Sequence, residues 1–302
     1  VEYACSAVNA APSDGWQTST FFSGLNEGTT YYFFARVKET DYVFAGATSG
    51  STAIATKTTL TAAASMTGYT YGETVSTPSV SSNPGNGAVT YYYSDVNANS
   101  GGTEWTGITS ASLNAGAYYL YAVIAETDDY TGCTTAAVPF TVAKADFTAG
   151  VTMTGYTYGG LISEPFAGTN PGYGAVTYYY SAVNANSGGT EWTGMTSTSL
   201  DAGTYYLYAV IGETANYNAC TTAAAAFTVR PKVVSVVWNK DASSYIYDST
   251  NRGSSITAKY VDILGNDVNL AVTYTYNGNP SVFMAAGTYT ITASMITADG
   301  NY

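Results

Sequence analysis

The residues of this 302-residue chain best suited to chemistry are a few carboxylates. Glu104 and Glu126 recur 87 positions later as Glu191 and Glu213. Two carboxyl groups are what glycoside hydrolysis needs, one to protonate the leaving oxygen and one to attack or to activate water. A catalytic centre is a local graft on a fold, so its copying into successive structural units argues against this reading. Glu126, Asp128 and Asp129 form a second set, hard oxygen donors near a strand end that would suit calcium. The next copy has Ala215 and Asn216 in place of the two aspartates, and a solvated acidic loop accounts for both versions.

Other chemistry is missing from the composition. No histidine occurs, which removes Ser-His-Asp and Cys-His machinery and His-based zinc sites. Cys5, Cys133 and Cys220 are too few for a four-cysteine site. Cys133 and Cys220 occupy equivalent positions, so neither is the natural partner of the other. The expectation is buried free thiols and no intrachain disulfide, with pairing between molecules through Cys5 as the alternative. No Gly-rich phosphate loop opens a helix. The chain therefore reads as no enzyme, with no catalytic, metal or cofactor-binding residues.

The net charge is −12 without a basic cluster, which excludes nucleic acid as a partner. No apolar run approaches the roughly 20 residues of a membrane span, so membrane insertion is not expected. The chain opens at Val1 without a signal pattern, as a processed product or a fragment would.

Whatever the chain does must be positioned by strands. Tyr, Thr, Val, Ala and Gly dominate, with 30 Tyr and 31 Gly. Met66-Thr67-Gly68-Tyr69-Thr70-Tyr71-Gly72 recurs from Met153 to Gly159. Between Ala88–Ser110 and Ala175–Ser197 only Asp95/Ala182 and Ile108/Met195 differ. A more divergent copy around Trp16, Leu25-Asn26-Glu27-Gly28 and Tyr31–Ala35 precedes these two, and a fourth follows Arg230-Pro231-Lys232. Within one repeat, Ala64–Thr67, Thr77–Ser81, Ala88–Ser94, Ala117–Glu126 and Cys133–Val142 read as strands separated by turns such as Asn83-Pro84-Gly85-Asn86-Gly87. That predicts an all-β chain, a tandem array of Ig-like antiparallel β-sandwich modules. The units run 1-59 (lacking its first strands), 60-144, 145-230 and 231-302 (lacking its last strand). Short junctions, holding Lys57, Lys144, Arg230 and Lys232, predict a semi-rigid rod.

Alternation sorts the tyrosines. In Ala117–Ile124 one face carries Tyr118, Leu120, Ala122 and Ile124, and the other Tyr119 and Tyr121. The fourth repeat sets Thr290 and Thr292 against Tyr289, Ile291 and Ala293, so the Thr positions face out and their tyrosine counterparts do too. Tyr92, Tyr119 and Tyr121, with Tyr179, Tyr206 and Tyr208, are thus expected as an outward contact surface, with Tyr32 and Phe34 in the first unit. Such rings shield the sheet, pack on another module or subunit, or stack on sugar; Trp105 and Trp192 are expected to pack over the sandwich edge, with extension of a sugar platform as the alternative.

Phe283-Met284-Ala285-Ala286-Gly287-Thr288-Tyr289-Thr290-Ile291-Thr292-Ala293 with Asp299-Gly300-Asn301-Tyr302 resembles the bacterial Ig-like repeats called MBG-type, and the second and third repeats resemble the same group. Phe22-Ser23-Gly24-Leu25 through Tyr31 and Ala35–Thr40 resembles a fibronectin-III-like repeat of similar Gram-positive surface proteins. The resemblance implies a β-sandwich and an extracellular, cell wall or surface associated setting, and brings no catalytic residues. The ragged terminal units imply a window cut from a longer polypeptide, or end units completed by another chain. The reading is a non-catalytic structural array of a surface, stalk or filament protein, whose partners are neighbouring modules or copies of itself. An adhesin that binds polysaccharide, or an accessory region of a large secreted enzyme, are the alternatives.

Overall fold

The computed structural model describes residues 1–239, 249, 256–281, 286–296 and 299–302. The described residues form strands and no helix. The chain divides into two compact units, Val1–Ala145 and Asp146–Tyr302.

In the first repeat, β1 (Glu2–Ser6), β2 (Thr30–Arg36) and β3 (Thr52–Ala55) form one antiparallel sheet in the order β1-β2-β3. The second repeat adds β4 (Ala64–Ser65), β5 (Tyr69–Thr70), β6 (Ser79–Val80), β7 (Val89–Ser94), β8 (Thr103–Glu104), β9 (Gly116–Ile124), β10 (Cys133–Thr134) and β11 (Val138–Ala143). β4 and β6 pair as a small sheet. The large sheet runs β5-β11-β9-β7-β8, with β10 also on β9. All these pairs are antiparallel except β5, which lies parallel to β11. A sheet ordered last strand, long strand, middle strand, packed on a smaller sheet of opening strands, is the immunoglobulin-like arrangement.

The core follows the predicted alternation. Leu120, Ala122 and Ile124 of β9 are buried at 0%, 0% and 1% exposure, with Phe140 and Val142 beside them. Ala64, Tyr69 and Leu113 complete the cluster across the sandwich. Full burial of a side chain like Leu120 contributes about 1.5–3 kcal/mol.

Cys133–Val142 does not form the single closing strand expected from the sequence. Cys133 opposes Ile124 and Thr134 opposes Val123, but Val138 opposes Leu120, so the closing strand carries one extra residue across Thr135–Ala137. This is a bulge, and Thr135 makes it tolerable. Its amide donates to the Ala122 carbonyl at 2.9 Å, and its hydroxyl accepts the Ala122 amide at 3.0 Å. One buried threonine thus satisfies both main-chain groups of a residue with no access to water.

The third repeat repeats the design with β12 (Val151–Thr152), β13 (Tyr156–Thr157), β14 (Phe166–Ala167), β15 (Val176–Ser181), β16 (Thr190–Glu191), β17 (Gly203–Ile211), β18 (Cys220–Thr221) and β19 (Ala225–Arg230). Thr222 takes the place of Thr135, accepting the Ala209 amide at 3.0 Å. In the fourth repeat, β20 (Val237–Asn239), β21 (Thr257–Val261), β22 (Asp267–Tyr276), β23 (Asn279–Pro280) and β24 (Tyr289–Met295) form one antiparallel sheet. The strand expected at Ala271–Tyr276 is the second half of β22, and that at Ala286–Ala293 falls on β24. Phe283, Met284 and Ala285 lie outside the described residues.

Two predictions follow from this packing. Thr135→Val keeps the shape and removes the acceptor for a buried amide, so it and Thr222→Val are each expected to lower stability by about 1–3 kcal/mol in denaturant unfolding. The second concerns alkali. Burial raises the phenol pKa of Tyr69 and Tyr156 above the ordinary 10, with neighbouring tyrosines adding to it. A raised folded-state value holds the proton more tightly than the unfolded chain does. The associated stability is complete below pH 10 and falls as pH rises through the folded-state value. Ultraviolet titration is expected to show a late class of tyrosines whose ionisation coincides with loss of structure.

Candidate functional site

Strand pairing decides which of the six candidate tyrosines meet. β7 and β9 are neighbours, with Tyr92 opposite Tyr121 and Ser94 opposite Tyr119. β15 and β17 place Tyr179 opposite Tyr208 and Ser181 opposite Tyr206. The Tyr92 and Tyr121 rings stack at 5.2 Å between centroids and 14° between planes, and Tyr179 with Tyr208 at 5.2 Å and 13°.

The expected outward surface is corrected at one of its three positions per repeat. Tyr121 and Tyr208 point away from the core of Leu120 and Leu207, yet each is buried at 4% exposure. The cover on Tyr121 is the polar loop before β8. Gly102 donates its amide to the Tyr121 hydroxyl at 3.1 Å, and Gly189 does the same for Tyr208 at 3.0 Å. A Cβ on Gly102 would stand 2.8 Å from the Tyr93 carbonyl and 3.0 Å from the Tyr121 ring, so only glycine lets the loop lie so close. The Asn99 side chain pins the loop's other end by donating to the Thr135 carbonyl at 3.2 Å. The stacking covers Tyr92 and Tyr179 as well, leaving each half-buried, along with Tyr119 and Tyr206. Phe34 of the first repeat, also expected outside, is buried, while Tyr32 is half-buried.

Trp105 does not extend a platform. It packs inward, edge-on to Tyr93 at 5.8 Å and to Phe140 at 5.7 Å, and Tyr118 stacks on Phe140 at 5.6 Å. Trp192 repeats this with Tyr180 and Phe227. Burial raises the phenol pKa of Tyr118 and Tyr205, with neighbouring tyrosine and aspartate charge adding to it. These rings stay neutral hydrogen-bond donors, each giving its proton to a carbonyl four residues back, Asn114 and Asp201.

The carboxylates are not brought together. Glu104 follows Thr103 on β8, opposite Tyr92 and hence level with Tyr121, while Glu126 lies five residues further along from Tyr121. At about 3.3 Å per residue that is an offset of ~16 Å along the strand direction, before the width of β7 between them is added, against roughly 5–9.5 Å for a glycosidase pair. Glu126 instead meets Lys57 at 3.4 Å. Among the described residues no cluster of three or more His, Cys, Asp or Glu is placed to hold a metal ion. Cys5, Cys133 and Cys220 are free thiols and half-buried, where full burial was expected.

The seams between repeats carry a recurrent contact that the sequence did not announce. Thr58, on the segment leading into the second repeat, donates its amide to the Asp129 carbonyl at 2.8 Å and accepts the Thr131 amide at 3.0 Å, forming a parallel bridge with Tyr130. Leu60, two residues on, is buried and donates its amide to the Thr131 hydroxyl at 3.1 Å. On the other side of the same seam, Thr59 donates its amide to the Glu27 carboxylate at 2.9 Å. Thr59's two hydrogen bonds, side chain first, hold the Glu27 carboxyl below its ordinary pKa. Leading into the fourth repeat, Lys232 donates its amide to the Asn301 carbonyl at 2.8 Å. The Asn301 side chain reaches Asp201 at 2.9 Å, and Tyr302 sets its ring against Tyr158 at 5.9 Å and Tyr260 at 5.2 Å.

No protein-family model matches the chain, and no curated protein matches it. Among solved structures, one that it is similar to is described as Sidekick-1 immunoglobulin domains 1-4, at 13% sequence identity and a TM-score of 0.19, with 92% of this chain and 77% of that chain covered.

Proposed function

We propose that the chain is a non-catalytic structural array of an extracellular surface, stalk or filament protein. Its modules span 1–59, 60–144, 145–230 and 231–302, the first of fibronectin-III-like and the last of MBG type. Their partners are neighbouring modules and copies of the same chain. The observation that supports this best is the recurrent seam. Thr58 and Lys232 stand at equivalent places, and each is hydrogen-bonded through its main chain to the loop that follows the long strand of the module it leads into. Contacts of this kind hold a module to its lead-in and serve no chemistry. The separated carboxylates and the absence of histidine point the same way.

A carbohydrate-binding array is the second reading, favoured by the half-buried rings of Tyr92, Tyr119, Tyr179 and Tyr206. Aromatic rings that keep some exposure are what a sugar stack requires.

Glycan-array screening and electron microscopy separate the two. The structural reading expects blank glycan arrays and ordered linear assemblies; saturable glycan binding lost in Tyr119→Thr/Tyr206→Thr would transfer the assignment to the second. These two substitutions are expected to change stability by less than about 0.5 kcal/mol. Tyr121→Phe and Tyr208→Phe, by contrast, strip the acceptor from the loop glycine and are expected to cost about 0.5–1.5 kcal/mol each in thermal unfolding.

A further inference from the structure

One of the few differences between the two middle repeats lies on the wall of a cavity. In the second repeat a cavity of about 310 Å³ opens beside the end of β7, lined by Tyr93, Asp95, Gly101, Gly102, Thr103 and Tyr118. That volume stands at the lower end of small-molecule sites, roughly 300–1,000 Å³. The third repeat carries Tyr180, Gly188, Gly189, Thr190 and Tyr205 at the same places, but Ala182 where the second has Asp95.

The walls are held by contacts within the repeat. The Tyr93 and Tyr118 rings meet edge to face, 6.4 Å between centroids and 75° between planes, and form a corner. Tyr118 is backed by Phe140, on which it stacks, and it donates its one hydroxyl proton to the Asn114 carbonyl at 3.0 Å. Its oxygen is left to accept. Gly102, tied to the Tyr121 hydroxyl at 3.1 Å, fixes the loop side. The Asp95 carboxylate is exposed and is the one full charge on the lining. Neither it nor the Tyr93 hydroxyl has a hydrogen-bond partner among the described residues. Tyr69 is 7% exposed, and its hydroxyl has no partner among the described residues either. The phenols that act on it electrostatically are those of Tyr118 and Tyr93.

Such a lining is electron-rich. It offers aromatic rings, phenol oxygens and a carboxylate, with no cation among the residues that line it. Its complement is a hydrogen-bond donor that carries positive charge. A calcium ion takes six to eight oxygen ligands, and among the described residues no three candidate ligands cluster. An ammonium group needs one carboxylate and one or two neutral oxygens, and its carbon stem packs on aromatic rings.

We propose that the second repeat binds a primary alkylammonium group in this cavity, and that the third repeat, with Ala182, does not. The ammonium meets the Asp95 carboxylate and the Tyr93 and Tyr118 oxygens, and its carbon stem lies along the two rings. The site goes beyond the array reading and does not rest on it.

The probe is Nα-acetyl-lysine N-methylamide, titrated against the whole chain and followed by saturation-transfer NMR. Its Nε-acetylated form is the uncharged control. Saturable binding is expected for the first, and binding weaker by about tenfold for the second. Asp95→Ala introduces at an exposed position the residue type that the third repeat already carries, so the fold is retained. A loss of about fivefold is expected there. Asp95→Ala/Ala182→Asp is expected to regain binding, now in the third repeat. n-Butylammonium separates two sources of the group: binding equal to the lysine compound assigns the site to free amines, and weaker binding to a lysine side chain, the ammonium assignment standing in both. Absence of saturable binding overturns the proposal. So does binding unchanged in Asp95→Ala, or equal binding of the Nε-acetylated form. A neutral monosaccharide that displaces the lysine compound and still binds Asp95→Ala would give the cavity to sugar and overturn the proposal too.

Discussion

The middle repeats depend on a strand whose central residues have water on neither face. Leu120, Tyr121 and Ala122 are consecutive and all buried, as are Leu207, Tyr208 and Ala209. A strand alternates its side chains, so three buried residues in a row mean that both faces are covered. Both edges are occupied too, by β7 on one side and by β10 and β11 on the other. Every polar group on such a strand must find its partner inside the protein. Thr135 meets that need at the bulge, and Gly102 meets it for the buried hydroxyl of Tyr121 on the outer face. The bulge, the glycine and the polar loop are consequences of putting a tyrosine-rich strand at the centre of a sandwich.

The sequence made the inner half of this arrangement legible and the outer half illegible. Alternation along Ala117–Ile124, read against the Thr-bearing fourth repeat, identifies Leu120, Ala122 and Ile124 as core. The same pattern says that Tyr121 lies on the opposite face and nothing about whether that face is wet. Its cover is Asn97-Ala98-Asn99-Ser100-Gly101-Gly102, a stretch without an apolar side chain larger than alanine. The signal that could have found it is the pairing of Gly101-Gly102 with an outward tyrosine, since a phenol under a loop needs a donor and a donor that close needs glycine. β5 and β8, two residues each, are not read as strands from the sequence; β4 and β6 are equally short but fall within the longer stretches Ala64–Thr67 and Thr77–Ser81 that are. The closing bulge escapes notice because Thr135 looks like any other threonine in a Thr-rich chain.

The seam bonds at Thr58 and Lys232 are main-chain bonds. Only 10% of residues are charged, against roughly 25% in an ordinary globular protein. The Lys57–Glu126 contact at 3.4 Å is solvent-exposed on the glutamate side, and pairs of that kind contribute about 0–1 kcal/mol. Main-chain bonds at Thr58 and Lys232 do not depend on which side chain is present. That explains how a threonine and a lysine can perform the same task at equivalent positions. A seam built this way tolerates divergence of the segment that crosses it.

The near-identity of the two middle repeats has a structural cause. Over Ala88–Ser110 and Ala175–Ser197 the two changes are Asp95 to Ala182 and Ile108 to Met195. Asp95 is exposed at the start of the loop, and Met195 is an apolar replacement at the edge of the core. Positions that touch two things at once have not changed. Gly102 contacts both Tyr93 and Tyr121, Tyr93 contacts both Trp105 and Tyr118, and Trp105 contacts Phe140. A substitution at any of these disturbs its partners, because a close-packed interior does not absorb a change at one site alone. Coupling of this kind holds a sequence constant without a ligand. The fourth repeat shows the other solution: Thr290 and Thr292 occupy the outer face, and the loop glycine that a buried tyrosine demands has no counterpart to serve. Tyrosine on that face, glycine in the loop and tryptophan beneath it belong together, and they account for the aromatic excess of this chain as a way of building a sandwich.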